Sequence, residues 1–430
     1  MSSSESTTVG NYFISNYPPF SFWTPENAGE VRRVLDGPPA DKPLGLYLHL
    51  PFCRKRCDFC YFKVYTDKNG REVKRYLDAV LAELELYLQH EVLAGRHPSF
   101  VYFGGGTPSY LSSEQLDRLF EGLQERLPWI GTREVAFECE PGTLQEHKLE
   151  RLHRLGVTRL SLGLENFDAE ILELNNRAHR EEEIDRAYGW ARGVGFEQIN
   201  LDLIAGMVGE TDANWERCIQ RTLELDPESV TVYQMEVPFN TTIYRRMKDG
   251  SEEVAPVADW ETKRRWTEQL FTALGERGYR RGSAYTAYKP GIEFLYRDAL
   301  WQGADMLGLG VSSFGHVSGV HYQNEASFDP YIERVERGEL PIRRAHQLDE
   351  EELLIREFVL QLKLGRIQRS YFQEKFGVDV TRRFAEPLAR NEDSFLVDDQ
   401  HVTVTKAGLL VLDRLLWDFF KPEHRGSRYS

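Results

Sequence analysis

Cysteine is scarce in this chain, with five among 430 residues. So few thiols exclude a disulfide-stapled scaffold, which a chain of this length does not need, and no secretory signal is apparent at the N-terminus. Three of the five nevertheless fall within eight residues, at Cys53, Cys57 and Cys60. A group this tight is either a metal site or a disulfide knot, and the chain length and missing signal favour metal.

Long hydrophobic runs and an excess of positive charge are also lacking. No apolar run approaches the roughly 18 residues that a membrane span needs. The net charge is −15, with 53 basic and 68 acidic residues, and no basic stripe is visible. We therefore expect no membrane span and no nucleic-acid partner.

The cysteine spacing favours an iron–sulfur cluster over zinc. Zinc needs a fourth ligand at short spacing, and the nearest histidine, His49, precedes the three cysteines on a predicted strand. Three thiolates with an open fourth position suit a [4Fe–4S] cluster. Inert buried thiols are the plain alternative, but unpaired cysteines are usually scattered through a core. A cluster of this kind, with few other cysteines, predicts a cytoplasmic location.

From Leu44 onward, short apolar runs alternate with longer amphipathic segments, which predicts an α/β fold. We predict six strand–helix units, a series typical of a partial (β/α)6 barrel. The predicted strands are Gly45–Leu50, Phe100–Phe103, Glu134–Glu138, Arg159–Leu164, Gln198–Ile204 and Ser229–Met235. The predicted helices between them are Glu72–Leu93, Ser113–Arg126, Leu144–Leu155, Arg180–Val194 and Ala213–Leu225.

Segments on either side of the barrel predict three parts: 1–43, 44–345 and 346–430. The first holds a Ser/Thr-rich tail, expected to be disordered, and an aromatic strap at Asn11–Trp23 that Pro18 and Pro19 keep from being helical. The last predicts a small winged-helix-like helical domain. Its helices are expected at Glu350–Leu364, Gln368–Phe376 and Ala407–Trp417, with a β-wing at His401–Thr405.

Polar residues and glycines follow the predicted strands at the end where barrel chemistry gathers. The second strand runs into Gly-Gly-Gly-Thr-Pro at 104–108, and carboxylates follow three later strands at Glu138, Glu165 and Asp202. Each carboxylate could instead cap the following helix. Their repetition at one end of successive strands favours a ligand site.

Four motifs, in order along the chain, resemble those of the coproporphyrinogen III oxidase-like family of radical S-adenosylmethionine (SAM) proteins. They are Tyr-x-His-x-Pro-Phe-Cys, Gly-Gly-Gly-Thr-Pro, Glu-x-x-Pro and Asn-x-Asp-Leu-Ile-x-Gly. The family includes oxygen-independent oxidases, haem chaperones and class C methyltransferases. The resemblance implies a [4Fe–4S] cluster that reductively cleaves bound SAM to a 5′-deoxyadenosyl radical.

The resemblance also assigns roles to residues. Cys53, Cys57 and Cys60 match the cluster ligands, and Tyr47, Gly105 and Glu138 match positions contacting the cluster-bound SAM. The positions that match contacts to a second SAM are Phe59, Gly106, Thr107, Arg177 and Asp202. Glu165 occupies a further position of this set, where the oxidases have Gln. Glu236 and Phe314 also align with SAM-binding positions, where the oxidases have a small and an aliphatic residue. Tyr47, Glu165, Arg177 and Asp202 are the expected catalytic residues.

Departures from the motifs leave three functions open. In the oxidases the last cysteine of the cluster motif is followed, two residues on, by a further cysteine. Here Tyr61 and Phe62 follow Cys60, so that cysteine is absent, which favours radical methylation or alkylation with a second SAM as carbon donor. The Tyr17-Pro18 segment resembles the oxidases and favours decarboxylation of coproporphyrinogen III. A haem chaperone is disfavoured because the stretch 296–301 lacks that family's His. The expected partners are a small molecule such as a tetrapyrrole or a polycyclic compound, and a reducing donor such as flavodoxin or ferredoxin.

Overall fold

A computed structural model describes residues 6–8, 10, 12–248 and 257–427. Its strands, in chain order, are β1 (Leu44–Leu50), β2 (Phe100–Gly105), β3 (Glu134–Cys139), β4 (Arg159–Glu165), β5 (Gln198–Ala205), β6 (Ser229–Gln234), β7 (Arg280–Arg281), β8 (Thr286–Tyr288), β9 (Asp305–Leu309), β10 (Phe314–Val317), β11 (Val320–Asn324), β12 (Ile342–Gln347), β13 (Arg366–Gln368), β14 (Phe395–Val397) and β15 (His401–Val404).

The described α-helices, in the same order, are α1 (Ala28–Leu35), α2 (Gly70–Leu88), α3 (Ser113–Arg126), α4 (Glu146–Arg154), α5 (Ala169–Leu174), α6 (Glu181–Val194), α7 (Asp212–Leu225), α8 (Thr242–Lys248), α9 (Trp260–Glu276), α10 (Leu295–Trp301), α11 (Phe328–Glu336), α12 (Glu350–Leu362), α13 (Arg369–Phe376), α14 (Val380–Arg383), α15 (Ala385–Arg390), α16 (Lys406–Leu410) and α17 (Leu412–Leu415). None of the helices that the structure describes is long and apolar enough to cross a membrane.

The chain forms two compact units. The larger unit comprises Trp23–Asp202 and Phe294–Gln347, and the smaller unit comprises Met1–Phe22, Leu203–Glu293 and Leu348–Ser430. The boundary falls inside β5. These units do not follow the three consecutive parts expected from the sequence, and that division stays a prediction.

The larger unit contains a mixed sheet in the order β12-β11-β10-β9-β1-β2-β3-β4. The strands from β9 to β4 in this order pair in parallel, and antiparallel pairing joins β9 to β10, β11 and β12. The strand β1 is central and almost wholly buried. Its carboxyl end, where the three cysteines follow, therefore lies between the ends of β2 and β9.

The smaller unit holds the antiparallel strands β6, β8 and β7, with α9 beside them and α7 packed on α9. It also holds a separate three-stranded sheet in the order β13-β15-β14. Strand β15 is the expected wing. The described strap residues 12–22 also belong to this unit, and they form no helix beyond one 3-10 turn, at Phe20–Phe22. Tyr17 is fully buried there, and its ring packs on Phe420 at a centroid distance of 4.6 Å.

Three expectations about secondary structure or order were wrong. The stretch after Tyr288 was expected to be rich in loops, apart from a buried strand and turn at Asp305–Gly315. It forms that strand as β9, but it also forms α10, α11 and the strands β10 to β12. The helix expected at Ala407–Trp417 is interrupted at Val411, whose φ of −122° lies outside helical values. Part of the Met1–Gly10 tail lies outside the described residues, but Thr7 and Gly10 donate hydrogen bonds to Ala258 O and Val237 O.

Candidate active site

The loop that carries the three cysteines begins at the carboxyl end of β1 and is closed at its base. The Tyr65 N–H donates to Pro51 O at 2.7 Å, and the Cys53 N–H donates to Tyr65 O at 3.0 Å. These bonds form a short parallel bridge between Phe52 and Tyr65. We call residues 51–65 the cysteine loop. Both ends of the loop are therefore fixed by backbone bonds, one of which is donated by Cys53 itself.

The glycine-rich end of β2 supports the first cysteine. The Gly106 N–H donates to Leu50 O and the Thr107 N–H to Phe52 O, both at 2.8 Å. A Cβ on Gly106 would lie 2.8 Å from Phe52 O, so the backbones can approach this closely only without a side chain. The Thr107 hydroxyl then donates to Cys53 Sγ at 3.3 Å.

The segment that follows α5 supports the second cysteine. Asn176 donates its side-chain amide to Arg56 O at 2.8 Å, and Arg177 Nη1 donates to Cys57 Sγ at 3.3 Å. Burial alone would lower the pKa of Arg177, but the Cys57 thiol and the Glu165 carboxyl group outweigh it and raise that pKa. A permanent positive charge therefore lies beside the cysteine loop.

The cysteine loop has the donor set of an iron–sulfur cluster. All three thiols are free of disulfides, and no three His, Cys, Asp or Glu among the described residues could hold a single metal ion. A [4Fe–4S] cluster does not need three ligands that meet at one metal ion, because each thiolate binds a different iron. Burial raises the pKa of Cys53 to about 11 and that of Cys60 to about 12. These thiols would lose their protons at neutral pH through metal binding.

Glu138 lies at the end of β3 and is held by two donors. The Tyr102 hydroxyl donates to Oε1 at 2.7 Å, and the Gly105 N–H donates to Oε2 at 3.1 Å. Burial is the largest influence and raises the pKa of Glu138 to about 7. A nearby cation would favour its ionised form.

Glu165 and Asp202 lie near Glu138. Glu165 has a φ of 63° and lies 3.5 Å from Arg177 Nη2, while Asp202 accepts a hydrogen bond from Ser161 Oγ at 2.7 Å. The pKa of Glu165 is raised to about 7, mainly by burial, and the charge of Asp202 contributes to the raised pKa of both glutamates. Three carboxyl groups thus interact with one another, and only Glu165 among them is shown beside Arg177. Mutual repulsion of this kind favours a cationic ligand such as a sulfonium.

An aromatic stack lies behind Glu138. Tyr47 on β1 stacks with Tyr102 at a centroid distance of 6.0 Å, and Tyr102 stacks with Tyr296 of α10 at 4.2 Å. Burial raises the pKa of Tyr47 well above its ordinary value, so it stays neutral. The sequence reasoning did not assign Tyr102 to the site. Strand alternation could have found it, because Tyr102 shares a face of β2 with Gly104.

The other sequence-predicted contacts have different surroundings. Phe59 is half-buried within the cysteine loop. Phe314 starts β10, and its ring meets the edge of Trp23 at 5.6 Å. Glu236 belongs to the smaller unit and accepts a hydrogen bond from the Tyr12 N–H at 3.0 Å. The contacts described for Phe314 and Glu236 are therefore with other side chains and with the strap, and their SAM-binding role stays a prediction.

Residues 47–221 match the family model of the radical SAM superfamily, and this range includes all three cysteines and the three carboxylates. The chain therefore contains a radical SAM domain. The superfamily uses a [4Fe–4S] cluster and SAM, which confirms both predicted cofactors.

Relatives extend the similarity beyond this domain. The chain is 28% identical to the oxygen-independent coproporphyrinogen III oxidase of Escherichia coli, over 88% of this chain and 86% of the relative. It is 29% identical to the heme chaperone HemW of Bacillus subtilis, over 83% and 93% of the two chains.

A solved structure of the Escherichia coli oxidase superposes with a TM-score of 0.81 at 26% identity, covering 95% and 96% of the two chains. The predicted α/β radical SAM fold is confirmed.

Proposed function

We propose that this protein is a radical SAM enzyme that oxidatively decarboxylates propionate side chains of a tetrapyrrole such as coproporphyrinogen III. The similarity to the oxidases over nearly the whole of both chains carries this proposal. In the reaction a hydrogen atom leaves the propionate chain, carbon dioxide follows, an acceptor takes the remaining electron, and a vinyl group results. A reducing donor such as flavodoxin or ferredoxin and a cytoplasmic location belong to the same proposal.

Cys53, Cys57 and Cys60 would hold the cluster, which when bound supplies the electron that cleaves SAM to its radical. Arg177 donates to Cys57 Sγ and places a positive charge beside it. Hydrogen bonds and charge near the sulfurs favour the reduced form of such a centre.

The carboxyl groups would bind and orient SAM. Glu138 would accept from the amino group of the cluster-bound SAM, since its oxygens are already oriented by Tyr102 and Gly105. Glu165 and Asp202 would offset the sulfonium charge of a second SAM. Both are half-buried, and contacts with Arg177 and with Ser161 already orient them.

An anaerobic assay tests the reaction. Iron-reconstituted protein, SAM, dithionite and coproporphyrinogen III should give 5′-deoxyadenosine, carbon dioxide and vinyl product, measured by mass spectrometry. The Cys57→Ser variant is the matched control and should give none of them. Deoxyadenosine formed beside unchanged coproporphyrinogen would refute decarboxylation.

Replacing Asp202 tests the second SAM position. Asp202→Ala should keep its iron content but lose product, whereas Asp41→Ala, at an exposed aspartate of the same unit, should behave like the wild type. Full turnover by Asp202→Ala would show that Asp202 does not bind a second SAM.

Carbon transfer from the second SAM to an unsaturated, aromatic or tetrapyrrole carbon is the second candidate. It is favoured by the residues that follow Cys60, where the oxidase motif has a further cysteine. Here Tyr61 and Phe62 stack at 4.5 Å, with 37% and 43% of their surfaces exposed. This reaction would add S-adenosylhomocysteine and an alkylated compound to the products, and their absence with a competent substrate would reject it.

Haem binding is the remaining alternative, because one relative is a heme chaperone. The stretch Tyr296-Arg-Asp-Ala-Leu-Trp301 offers no histidine. We expect no saturable Soret shift when haemin is added to the reconstituted protein. A Soret shift that saturates at one haemin per chain would support the chaperone function instead.

A further inference from the structure

Strand β6 of the smaller unit ends in an exposed ring. Tyr233 is 40% exposed, although the three residues before it, Val230, Thr231 and Val232, are each 5% exposed or less. Beyond the strand, the Met235 N–H donates to Ala205 O, the last residue of β5, at 2.8 Å. Tyr233 therefore lies near the carboxyl ends of two consecutive strands. In α/β folds ligands bind at that end.

Two more rings support Tyr233. Its ring stacks with that of Tyr285 at a centroid distance of 5.9 Å and an interplanar angle of 24°. The Phe13 ring meets Tyr233 at 6.0 Å and Tyr285 at 5.2 Å. We call these three residues the aromatic platform. Lys363 lies against it, with Nζ 4.1 Å from the Phe13 centroid and 5.1 Å from that of Tyr285.

Two carboxyl groups fix the strap residues on either side of Phe13. The Tyr12 N–H donates to Glu236 Oε1 at 3.0 Å, and the Ile14 N–H donates to Asp413 Oδ1 at 3.0 Å. Asp413 in turn pairs with Lys363 at 2.8 Å, and Lys363 donates to Ile14 O.

Tyr285 is fixed by the same group of charges, because its hydroxyl donates to Asp413. Buried charges stabilise a fold no better than well-packed apolar side chains. What the Lys363–Asp413 pair does here is hold the segment around Phe13 and the Tyr285 ring in one position.

We propose that the aromatic platform binds one ring of the substrate by stacking on Tyr233, a pyrrole ring if the substrate is a tetrapyrrole. This inference rests on the proposed function and adds its substrate-binding residues. A pyrrole is flat and electron-rich, and an offset stack on a tyrosine is a favoured arrangement for two such rings. Single exposed apolar residues are common on protein surfaces. Tyr233 differs from them because two fixed rings support it at the ligand end of a strand.

The same contacts give Glu236 a role other than the predicted contact with SAM. It is a positioning residue, since it holds the strap residue that precedes Phe13. Burial raises the pKa of Glu236 to about 8, and the carboxyl group accepts the Tyr12 N–H whether or not it carries a proton.

Binding of coproporphyrin III, followed by its fluorescence on anaerobic, iron-reconstituted full-length protein without SAM, tests the platform. Tyr233→Leu should raise the dissociation constant by about two- to tenfold, the range expected for losing one aromatic pair. Tyr233→Phe should bind as the wild type does. Leu396→Ala, which removes an exposed apolar side chain of the same unit on β14, should also leave binding unchanged.

Phe13→Leu removes a supporting ring and provides a second variant should Tyr233→Leu fail to fold. It should weaken binding in the same direction. The platform is rejected if the wild type does not bind the porphyrin, or if either leucine variant that folds binds it as tightly as the wild type.

The proposed function is tested separately by deoxyadenosine formation in the wild type. Porphyrin binding that depends on Tyr233, in a protein that never cleaves SAM, would keep the platform and reject the enzyme. Turnover of coproporphyrinogen III by the wild type, together with unaltered porphyrin binding by Tyr233→Leu, would keep the proposed enzyme activity and reject the platform.

Discussion

The contact between Gly106 and the cysteine loop makes Gly106→Ala a sharp test of the site. The new Cβ would lie 2.8 Å from Phe52 O and 2.9 Å from Leu50 O, whereas a carbon normally approaches such an oxygen to about 3.3 Å. The two backbones must therefore separate by about 0.5 Å. That movement stretches the hydrogen bonds Gly106 N–Leu50 O and Thr107 N–Phe52 O, now 2.8 Å, beyond the usual limit of about 3.2 Å.

The cost follows from these two effects. Weakening two backbone bonds costs about 1 kcal/mol each, and forced overpacking costs about 1–3 kcal/mol. We expect the free energy of unfolding to fall by about 3–5 kcal/mol. Because Thr107 moves with the backbone, its bond to Cys53 Sγ should also lengthen, and the protein should take up less iron on reconstitution.

Iron and sulfide content per chain, together with urea unfolding, would measure both effects. The matched control is Gly189→Ala in α6, where an added Cβ meets nothing within 4 Å. A helix gains roughly 0.8–1 kcal/mol from this substitution, and iron uptake should not change. Normal iron uptake and unchanged stability in Gly106→Ala would refute the steric argument.

Three further predictions concern charge and hydrogen bonding. Arg177→Met removes the cation beside Cys57 and should lower the reduction potential of the cluster by about 50–100 mV. A redox titration followed by paramagnetic resonance would measure this potential, and Arg177→Lys, which keeps the charge, should lower it less. Tyr102→Phe removes one donor to Glu138 and should raise the dissociation constant for SAM by about tenfold; calorimetry showing no change would contradict this. Burial raises the pKa of Glu83 from 4.5 to about 8, so the folded chain holds a proton that the unfolded chain releases, and stability should fall as pH rises across that interval. Urea midpoints should show a smaller fall for Glu83→Gln, and an equal fall would exclude Glu83 as the cause.

The periodic parts of the larger unit were predictable from the sequence. Strands β1 to β4 lie within two residues of their predicted ends, and α3 has its predicted bounds, because Ser112 and Gln115 form a capping box at its start. Uniformly apolar strands and capped amphipathic helices carry local signals strong enough to determine structure. The cysteines and carboxylates could be found for the same reason, since they follow those strands directly.

The antiparallel strands β10 to β12 and the supports of the site were not predictable in this way. The pair His316 and His321 faces across β10 and β11 with both rings buried, and no apolar alternation marks them. Glu236 also carries no local signal, because its partner Tyr12 lies 224 residues away in the sequence. Long-range pairing of this kind depends on tertiary packing rather than on local propensity.

The closure of the cysteine loop by the bridge between Phe52 and Tyr65 places two tasks within one short segment. Residues up to Cys60 are tied to β2 and to the segment after α5, while the stretch from Tyr61 to Val64 lies beyond the last thiol and before the closing bridge. The Phe62 backbone also acts on the Cys60 thiol, so this stretch both supports the last thiol and carries the exposed rings of Tyr61 and Phe62. A substitution there would reach Cys60 before the other two thiols, because Cys53 and Cys57 have supports of their own in Thr107 and Arg177.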